Sequence, residues 1–263
     1  MQEHELIDSH CHLDDPRFDG DRDAVCQRAE AAGVSEIIVP AVSRRYWPRL
    51  QQITSSTAHA WPAYGLHPMF MAEHDKGDVE ALEAWLEQEP AVAVGECGLD
   101  YYSDRDTRMQ QLELFDAQLA IAHRHQLPVI VHARKSVEDA IQRIRQYPGL
   151  RGVFHSYSGS LEQARQLADL GFMFGIGGPY TWENARKLHA LLPKLPLDAL
   201  LLETDAPDQP DATHRGQRNE PAFILDIATA VAARLKIDIE TLATQTTHNA
   251  TSLFSLTPFR HRT

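Results

Sequence analysis

The chain is poor in cysteine, in basic residues and in long apolar runs, and each shortage excludes a class of protein. Its three cysteines have no framework spacing, which argues against a secreted disulfide scaffold and for free thiols in a reducing compartment. The opening MQEHELIDSH contains no basic region followed by an apolar one, so no signal peptide is predicted. The longest apolar runs, such as IIVPAV, are far too short to cross a bilayer. We therefore expect a cytoplasmic protein that does not engage a membrane.

The shortage of basic residues bears on nucleic acid as a partner. Lys and Arg number 25 against 37 Asp and Glu, which gives a formal net charge of −12 at pH 7. A clamp on long duplex nucleic acid depends on many Lys and Arg contacts to phosphates, and the sequence has no dense basic stripe. An enzyme that binds one or two phosphates through bound cations remains compatible with this charge. No segment indicates an obligate protein partner.

Strand-like and helix-like segments alternate along the whole chain. Eight short apolar segments are typical of buried parallel strands, and they span residues 6–10, 36–42, 60–66, 91–96, 128–132, 152–155, 172–177 and 199–203. Helical patterns separate them, and one begins with a predicted capping box of Ser160 and Gln163. Eight βα units most naturally close into an α/β fold of the TIM-type, a (β/α)₈ barrel, with an open sheet as the alternative. We assign residues 1–256 to this single domain and residues 257–263 to a short, frayed C-terminal tail.

Histidines and acids recur where the predicted strands end. The segment DSHCHLD places His10 and His12 two residues apart, and alternate side chains of a strand point to the same face. The C-terminal ends of barrel strands surround one site, so the residues at later strand ends should join them: His67, Glu96, His132, His155 and Asp205. His123 and His125 share the spacing of the first pair, but they lie in a predicted helix, where residues i and i+2 do not face each other.

This set of side chains predicts a metal site with more than one ion. An acid or imidazole at the end of an apolar strand is costly to bury unless a cation or a hydrogen-bond partner meets it, and for single histidines the second possibility stays open. One catalytic ion keeps an open position, so two divalent ions are a better match for the six candidate ligands, which are His10, His12, Glu96, His132, His155 and Asp205. The imidazoles favour zinc, manganese or iron over magnesium, which prefers oxygen ligands. Such a pair can activate water against a phosphodiester.

With these residues identified, the chain resembles the TatD family of metal-dependent deoxyribonucleases, in the amidohydrolase superfamily and near its YjjV-like branch. The matching segments run in family order from residue 8 to residue 221: DSHCHLD, GLHP, GECGLDYY, VHAR, FHSYSG, LLETDAP and RNEP. The resemblance implies two divalent ions (zinc, manganese or magnesium), with a bridging ligand at Glu96 and a general base at Asp205. It implies that one ion is held by His10, His12 and Asp205, and the other by His132 and His155. Cys97 departs from the family, which often has an apolar residue there.

The resemblance assigns other motif residues to the substrate. His67 would face the scissile phosphate, with support of a metal ligand as the alternative. Arg134 lies two residues after His132 and would bind a phosphate with both branches of its guanidinium, or else pair with a surface acid. Arg218 and Asn219 would close the site from the loop after the last strand.

Four nearby residues receive weaker assignments. Glu203 is expected to orient a ligand histidine. Tyr101 and Tyr102 would stack a terminal base or, as the favoured alternative, pack on the rim of the barrel. Cys11, like Cys97, points away from the site by strand parity and should belong to the core.

The favoured function is a two-metal phosphodiesterase that trims single-stranded DNA as an exonuclease, so the expected partner is a nucleic acid end or another phosphodiester. The same centre would also serve the hydrolysis of an ester, amide or lactone bond, including D-aminoacyl-tRNA deacylation, which some relatives of the family perform. Phosphate chemistry should need both His67 and Arg134, whereas an acyl substrate would not. A catalytically silent metal-binding scaffold is the third hypothesis. The complete ligand set argues against it, since unpaired buried charges reduce stability.

Overall fold

A computed structural model of the chain describes residues 4–103 and 106–256. It contains one sheet of eight parallel strands in sequence order: β1 (Leu6–Asp8), β2 (Val34–Pro40), β3 (Ala60–Tyr64), β4 (Ala93–Asp100), β5 (Val129–Arg134), β6 (Gly152–Phe154), β7 (Phe172–Ile176) and β8 (Leu200–Leu202). Hydrogen bonds from Ser9 N to Leu202 O and from Asp205 N to His10 O join the end of β8 to the end of β1. The predicted (β/α)₈ barrel is thereby confirmed. The tail predicted for residues 257–263 lies outside the described residues.

A helix follows each strand and packs against the outside of the barrel. These helices are α1 (Arg22–Ala31), α2 (Trp47–Ser56), α3 (Asp78–Leu86), α4 (Arg108–His125), α5 (Val137–Ile144), α6 (Leu161–Asp169), α7 (Arg186–Leu191) and α8 (Ile224–Leu235), and α9 (Ile239–Phe254) is added at the end. Ser160 and Gln163 form the predicted capping box at the start of α6. In the described part of the chain, no helix has both the length and the apolar character needed to span a membrane.

Apolar side chains fill the barrel from its N-terminal end. Every strand contributes at least one residue to this core, among them Ile7, Ile38, Ala63, Ala93, Ile130, Val153, Met173 and Leu201. Leu253 and Phe254 of α9 pack against them. Asn249 fixes this helix by donating to the backbone oxygens of Leu197 and Leu200. Because α9 closes the N-terminal end, only the C-terminal end is left to open into a cavity.

An irregularity in β4 turns Glu96 toward the barrel axis. The strand register shifts between Val94 and Cys97, so Ala93 and Glu96 both face inward although an odd number of residues separates them. Cys97 points instead into the core between strands and helices, as does Cys11. Both cysteines therefore lie where strand parity predicted.

The first strand is shorter than predicted, whereas β4 and β5 extend past their predicted ends to Asp100 and Arg134. We expected the first strand to span residues 6–10, but β1 ends at Asp8. The carboxylate of Asp8 accepts the N–H groups of His10 and Thr204, at 3.3 and 2.9 Å. These local bonds draw the chain out of the ladder. As a result, His10 lies on a loop just beyond the strand, where the barrel opens.

Candidate metal centre

The predicted ligands meet around the carboxylate of Glu96 at the open end of the barrel. Its Oε2 lies 3.2 Å from His10 Nε2 and 3.5 Å from His12 Nε2. Its Oε1 lies 3.1 Å from His132 Nδ1 and 2.8 Å from His155 Nε2. Each carboxylate oxygen therefore faces a different pair of histidines, which is the arrangement needed for a ligand shared between two positions.

Asp205 completes the group that contains the first histidine pair. Its Oδ1 lies 3.6 Å from the Nε2 atoms of both His10 and His12. Its Oδ2 accepts a hydrogen bond from Gln209, which holds the carboxylate in place. The residue has a left-handed backbone with φ of 58°, a conformation that Asp tolerates better than most side chains. This turn directs the carboxylate back over the barrel.

The donor set fits divalent cations. The Nε2 atoms of His10 and His12 are 3.4 Å apart, close enough to share an ion. For two of the four histidines the outer ring nitrogen contacts an acceptor: His12 Nδ1 lies 3.2 Å from Pro40 O, and His132 Nε2 lies 2.9 Å from an oxygen of Asp100. An N–H donated to such an acceptor leaves the inward nitrogen with its lone pair, as in histidine metal ligands. Imidazoles combined with carboxylates suit zinc or manganese.

The electrostatics of the centre keep its acid ionised and its first histidine neutral. Burial by itself would raise the pKa of Glu96, but the surrounding imidazoles of His67, His155 and His10 hold it well below the usual range. Burial lowers the pKa of His10 to about 4. Against the effect of burial, the carboxylate of Glu96 conversely raises the pKa of His155 to about 10, so a cation bound at that histidine would displace a proton.

His67 differs from the ligand histidines in the direction of its hydrogen bonds. Its Nδ1 accepts the N–H of Met69 at 3.1 Å, so the neutral ring carries its proton on Nε2. That Nε2 lies 2.9 Å from Glu96 Oε1. Burial lowers the pKa of His67 to about 4, which keeps the ring neutral. His67 therefore offers an N–H donor to the centre rather than a lone pair, in line with the predicted contact to substrate.

Two acids lie behind the candidate ligand histidines His132 and His155. Asp100 is fully buried and contacts His132 through Oδ2, while its Oδ1 accepts the N–H groups of Tyr102 and Ser103. The sequence interpretation missed this residue, although it ends the motif GECGLD on the same strand as Glu96. Glu203 Oε1 lies 3.9 Å from His155 Nδ1 and accepts the N–H of Ser156. It faces that histidine, as expected, but too far away for a direct hydrogen bond.

A cavity of about 810 Å³ opens above the centre, and two arginines line it. Arg17 is held between Asp15 and Asp208, with nitrogen–oxygen distances of 2.9 and 2.7 Å. Arg134 instead lies over the ring of Tyr102, 3.8 Å from its centroid. Within residues 4–103 and 106–256, no carboxylate forms an ion pair with Arg134. The alternative pairing of Arg134 with a surface acid is thus absent from the described structure.

The structure does not bring Arg218 and Asn219 into the cavity, contrary to the role assigned from the RNEP segment. Arg218 binds the carboxylate of Asp21 with two nitrogens, each at 2.7 Å. Asn219 is fully buried and donates to the backbone oxygens of Thr204 and Asp208, both at 2.8 Å. These contacts hold the loop after β8 in place, so the two residues support the site rather than line it.

The two tyrosines of the GECGLDYY segment separate. Tyr101 is buried and its hydroxyl donates to Asp139 at 2.7 Å, which agrees with packing on the rim. Tyr102 is 64 % exposed.

His123 and His125 lie in α4 and do not line the cavity, as their helical spacing predicted.

Comparison with known proteins identifies the family. A family model described as TatD related DNase matches residues 7–255. The chain belongs to the TatD family. It is 38 % identical over 254 residues to the uncharacterized metal-dependent hydrolase YjjV of Escherichia coli (strain K12), covering 95 % of this chain and 98 % of that one. It is 33 % identical to the uncharacterized metal-dependent hydrolase YabD of Bacillus subtilis (strain 168), covering 95 % and 99 %.

Solved structures of TatD proteins agree with this assignment. The crystal structure of the TatD homologue YjjV from E. coli K12 matches with a TM-score of 0.93 and 36 % identity, over 97 % of this chain and 100 % of that chain. A TatD family hydrolase of Entamoeba histolytica matches with a TM-score of 0.83 and 24 % identity, over 96 % and 99 %, and shows the shared fold. The chain is thus a metal-dependent hydrolase of the TatD family with a single-domain barrel.

Proposed function

We propose that this TatD-family hydrolase is a two-metal phosphodiesterase that removes nucleotides from the ends of single-stranded DNA. The observation that carries the proposal is the position of Glu96, whose two oxygens face separate histidine pairs. Two divalent ions held there would acidify an attacking water and polarise the phosphoryl group. Zinc, manganese and magnesium are the candidates, and the imidazoles favour the first two.

The chain's own residues would handle protons and charge around the phosphodiester. The Asp205 carboxylate, oriented by Gln209, is placed to accept a proton from the attacking water. His67 donates its Nε2–H toward the same centre, where a phosphoryl oxygen gains charge in the transition state. Arg134 offers a planar pair of N–H donors suited to the non-bridging oxygens.

Hydrolysis of an acyl bond, including D-aminoacyl-tRNA deacylation, is the second candidate. It would use the same ligands and one oxyanion donor such as His67, but it would leave Arg134 without a task. An arginine that lines the cavity and forms no ion pair in the described structure favours an anionic substrate. We also propose a cytoplasmic location, supported by free thiols at Cys11, Cys26 and Cys97.

The proposal is tested with a 3′-labelled single-stranded oligonucleotide and Mg²⁺, Mn²⁺ or Zn²⁺, sampled over time. We expect metal-dependent shortening of the strand. The substitution Glu96→Gln keeps the size of the side chain but removes its charge, so it should lower kcat by about 10³-fold or more. Glu83→Gln is the matched control, because Glu83 pairs with Arg124 on the outer surface.

Protein that demonstrably carries metal but cleaves no strand with any ion would contradict the nuclease proposal. Aminoacyl-tRNA and ester substrates would then be tested with the same pair of variants. Loss of acyl hydrolysis in Glu96→Gln would assign the centre to that chemistry.

A further inference from the structure

Charge is unevenly distributed around the cavity mouth. The strands follow one another around the barrel in sequence order, so β1 lies opposite β5. The loop after β1 brings Asp14 and Asp15, and the neighbouring loop after β8 brings Asp208. Arg134 stands on the opposite side, at the end of β5. Arg17 also lies on the side of the acids, but its charge is already paired with Asp15 and Asp208. The side of Arg134 therefore favours an anion, and the side of the acids repels one.

The other two sides of the mouth are apolar. The loop after β3 places Met69 and Phe70 on the cavity, and the ring of Phe70 meets His67 edge to face with centroids 5.8 Å apart. The loop after β7, on the opposite side, places Tyr180 and Trp182 there. Tyr180 is buried, whereas Phe70 and Trp182 are only half-buried and can contact a flat apolar group.

The indole ring of Trp182 is fixed in position by two contacts. Its indole Nε1 donates to Pro210 O at 2.9 Å. The guanidinium of Arg215 lies over its ring, 5.1 Å from the centroid. The indole is half-buried and lines the cavity. Because a hydrogen bond and a covering cation fix the ring, little freedom is lost when a planar ligand stacks on it.

We propose that the cavity recognises a single nucleotide unit, with its phosphate on the Arg134 side and its base stacked on Trp182. This rests on the proposed function and narrows its substrate class to a strand end or a very short oligonucleotide. A longer strand would gain little binding affinity. Arg134 is the one cavity arginine without an ion pair in the described structure, and further phosphates would approach Asp14 and Asp208. Trp182 is thus a specificity-determining residue, and its contribution comes from stacking rather than charge.

Binding of two ligands to metal-loaded protein tests this without turnover. Thymidine 5′-monophosphate carries a base and a phosphate, and inorganic phosphate carries only the latter. By isothermal titration, Trp182→Leu should weaken nucleotide binding by about 5- to 100-fold, the range for loss of one base–aromatic stack. It should leave the binding of inorganic phosphate unchanged. Trp182→Phe should retain most of the nucleotide affinity, whereas Arg134→Gln should weaken both ligands.

Intrinsic fluorescence provides a second measurement that does not need the leucine variant to fold. The nucleotide should quench tryptophan fluorescence in the unmodified protein, and Trp182→Phe should remove that quenching. Trp61→Phe is the control, because Trp61 is half-buried against the core at the opposite end of the barrel. Quenching that persists without Trp182, or equal affinity for nucleotide and inorganic phosphate, would overturn the inference. Selective nucleotide binding without strand cleavage would uphold it while contradicting the proposed nuclease activity.

Discussion

The two ring nitrogens of each histidine at the barrel mouth decide its role. His132 directs Nε2 to the carboxylate of Asp100 and therefore presents the lone pair of Nδ1 to the centre. His67 accepts a backbone N–H at Nδ1 and therefore presents a proton instead. The same residue type is thus placed to offer a lone pair to a metal ion in one position and a proton to a ligand in the other.

Asp100 should accordingly be a positioning residue for metal binding. In Asp100→Asn, the amide can turn an N–H toward His132, which then loses its acceptor and the preference for the productive tautomer. We expect metal affinity to fall by about 10- to 100-fold, measured by competition with a chelator of known affinity. Asp116→Asn, which alters an ion pair with Arg143 away from the site, is the control. Unchanged metal affinity in Asp100→Asn would contradict this role.

The sequence predicted which residues meet at the centre but not every contact that they make. The ligand positions followed from strand ends in a barrel, a rule that needs only the order of elements. The displacement of Arg218 depends on a pairing with Asp21, which lies 197 residues away along the chain. The tautomer of His67 depends on one N–H in the next turn. No periodicity of the sequence encodes such partners.

At the scale of elements, the apolar core lies at the N-terminal end of the barrel and the candidate metal centre at its C-terminal end. The eight strands and the helices that follow them were predictable, because buried parallel strands appear as short apolar runs between helical patterns. The register shift in β4 was not, although it determines that Glu96 faces the axis. The irregularity interrupts the two-residue period locally, and an apolar run shows no alternation from which to detect it.

Helix α9 should contribute stability without affecting the metal centre. Leu253 is 1 % exposed and packs among the inward-facing strand residues at the N-terminal end. Leu253→Ala should lower the free energy of unfolding by about 2–5 kcal/mol, the usual range for a buried leucine. Metal affinity and kcat of the folded protein should stay unchanged. Urea unfolding and a metal titration measure the two effects, and the exposed neighbour Ser252→Ala provides the control.

A change in metal affinity alongside the loss of stability in Leu253→Ala would show that the two ends of the barrel are coupled. That result would contradict the expected independence, because the closed end and the centre lie at opposite ends of the same strands.

At the scale of the whole molecule, the net charge of −12 indicates that a phosphodiester is bound through local contacts at the cavity rather than through long-range attraction. An acidic surface gives little long-range attraction for a polyanion, so recognition must come from the centre and the cavity walls. Bound cations would then supply most of the positive charge that a phosphodiester meets. Removal of those ions should therefore affect chemistry far more than the fold.

Chelation tests this expectation on the intact protein. Treatment with excess chelator should abolish hydrolysis but leave the far-UV circular dichroism at 25 °C unchanged, because two apolar cores and the ladder of strands do not include the ions. The melting temperature should fall by roughly 5–10 °C, as expected when a ligand that binds only the folded state is withdrawn. Re-addition of Mn²⁺ or Zn²⁺ should restore both properties. Loss of the circular dichroism signal together with activity would show instead that the ions hold the barrel together.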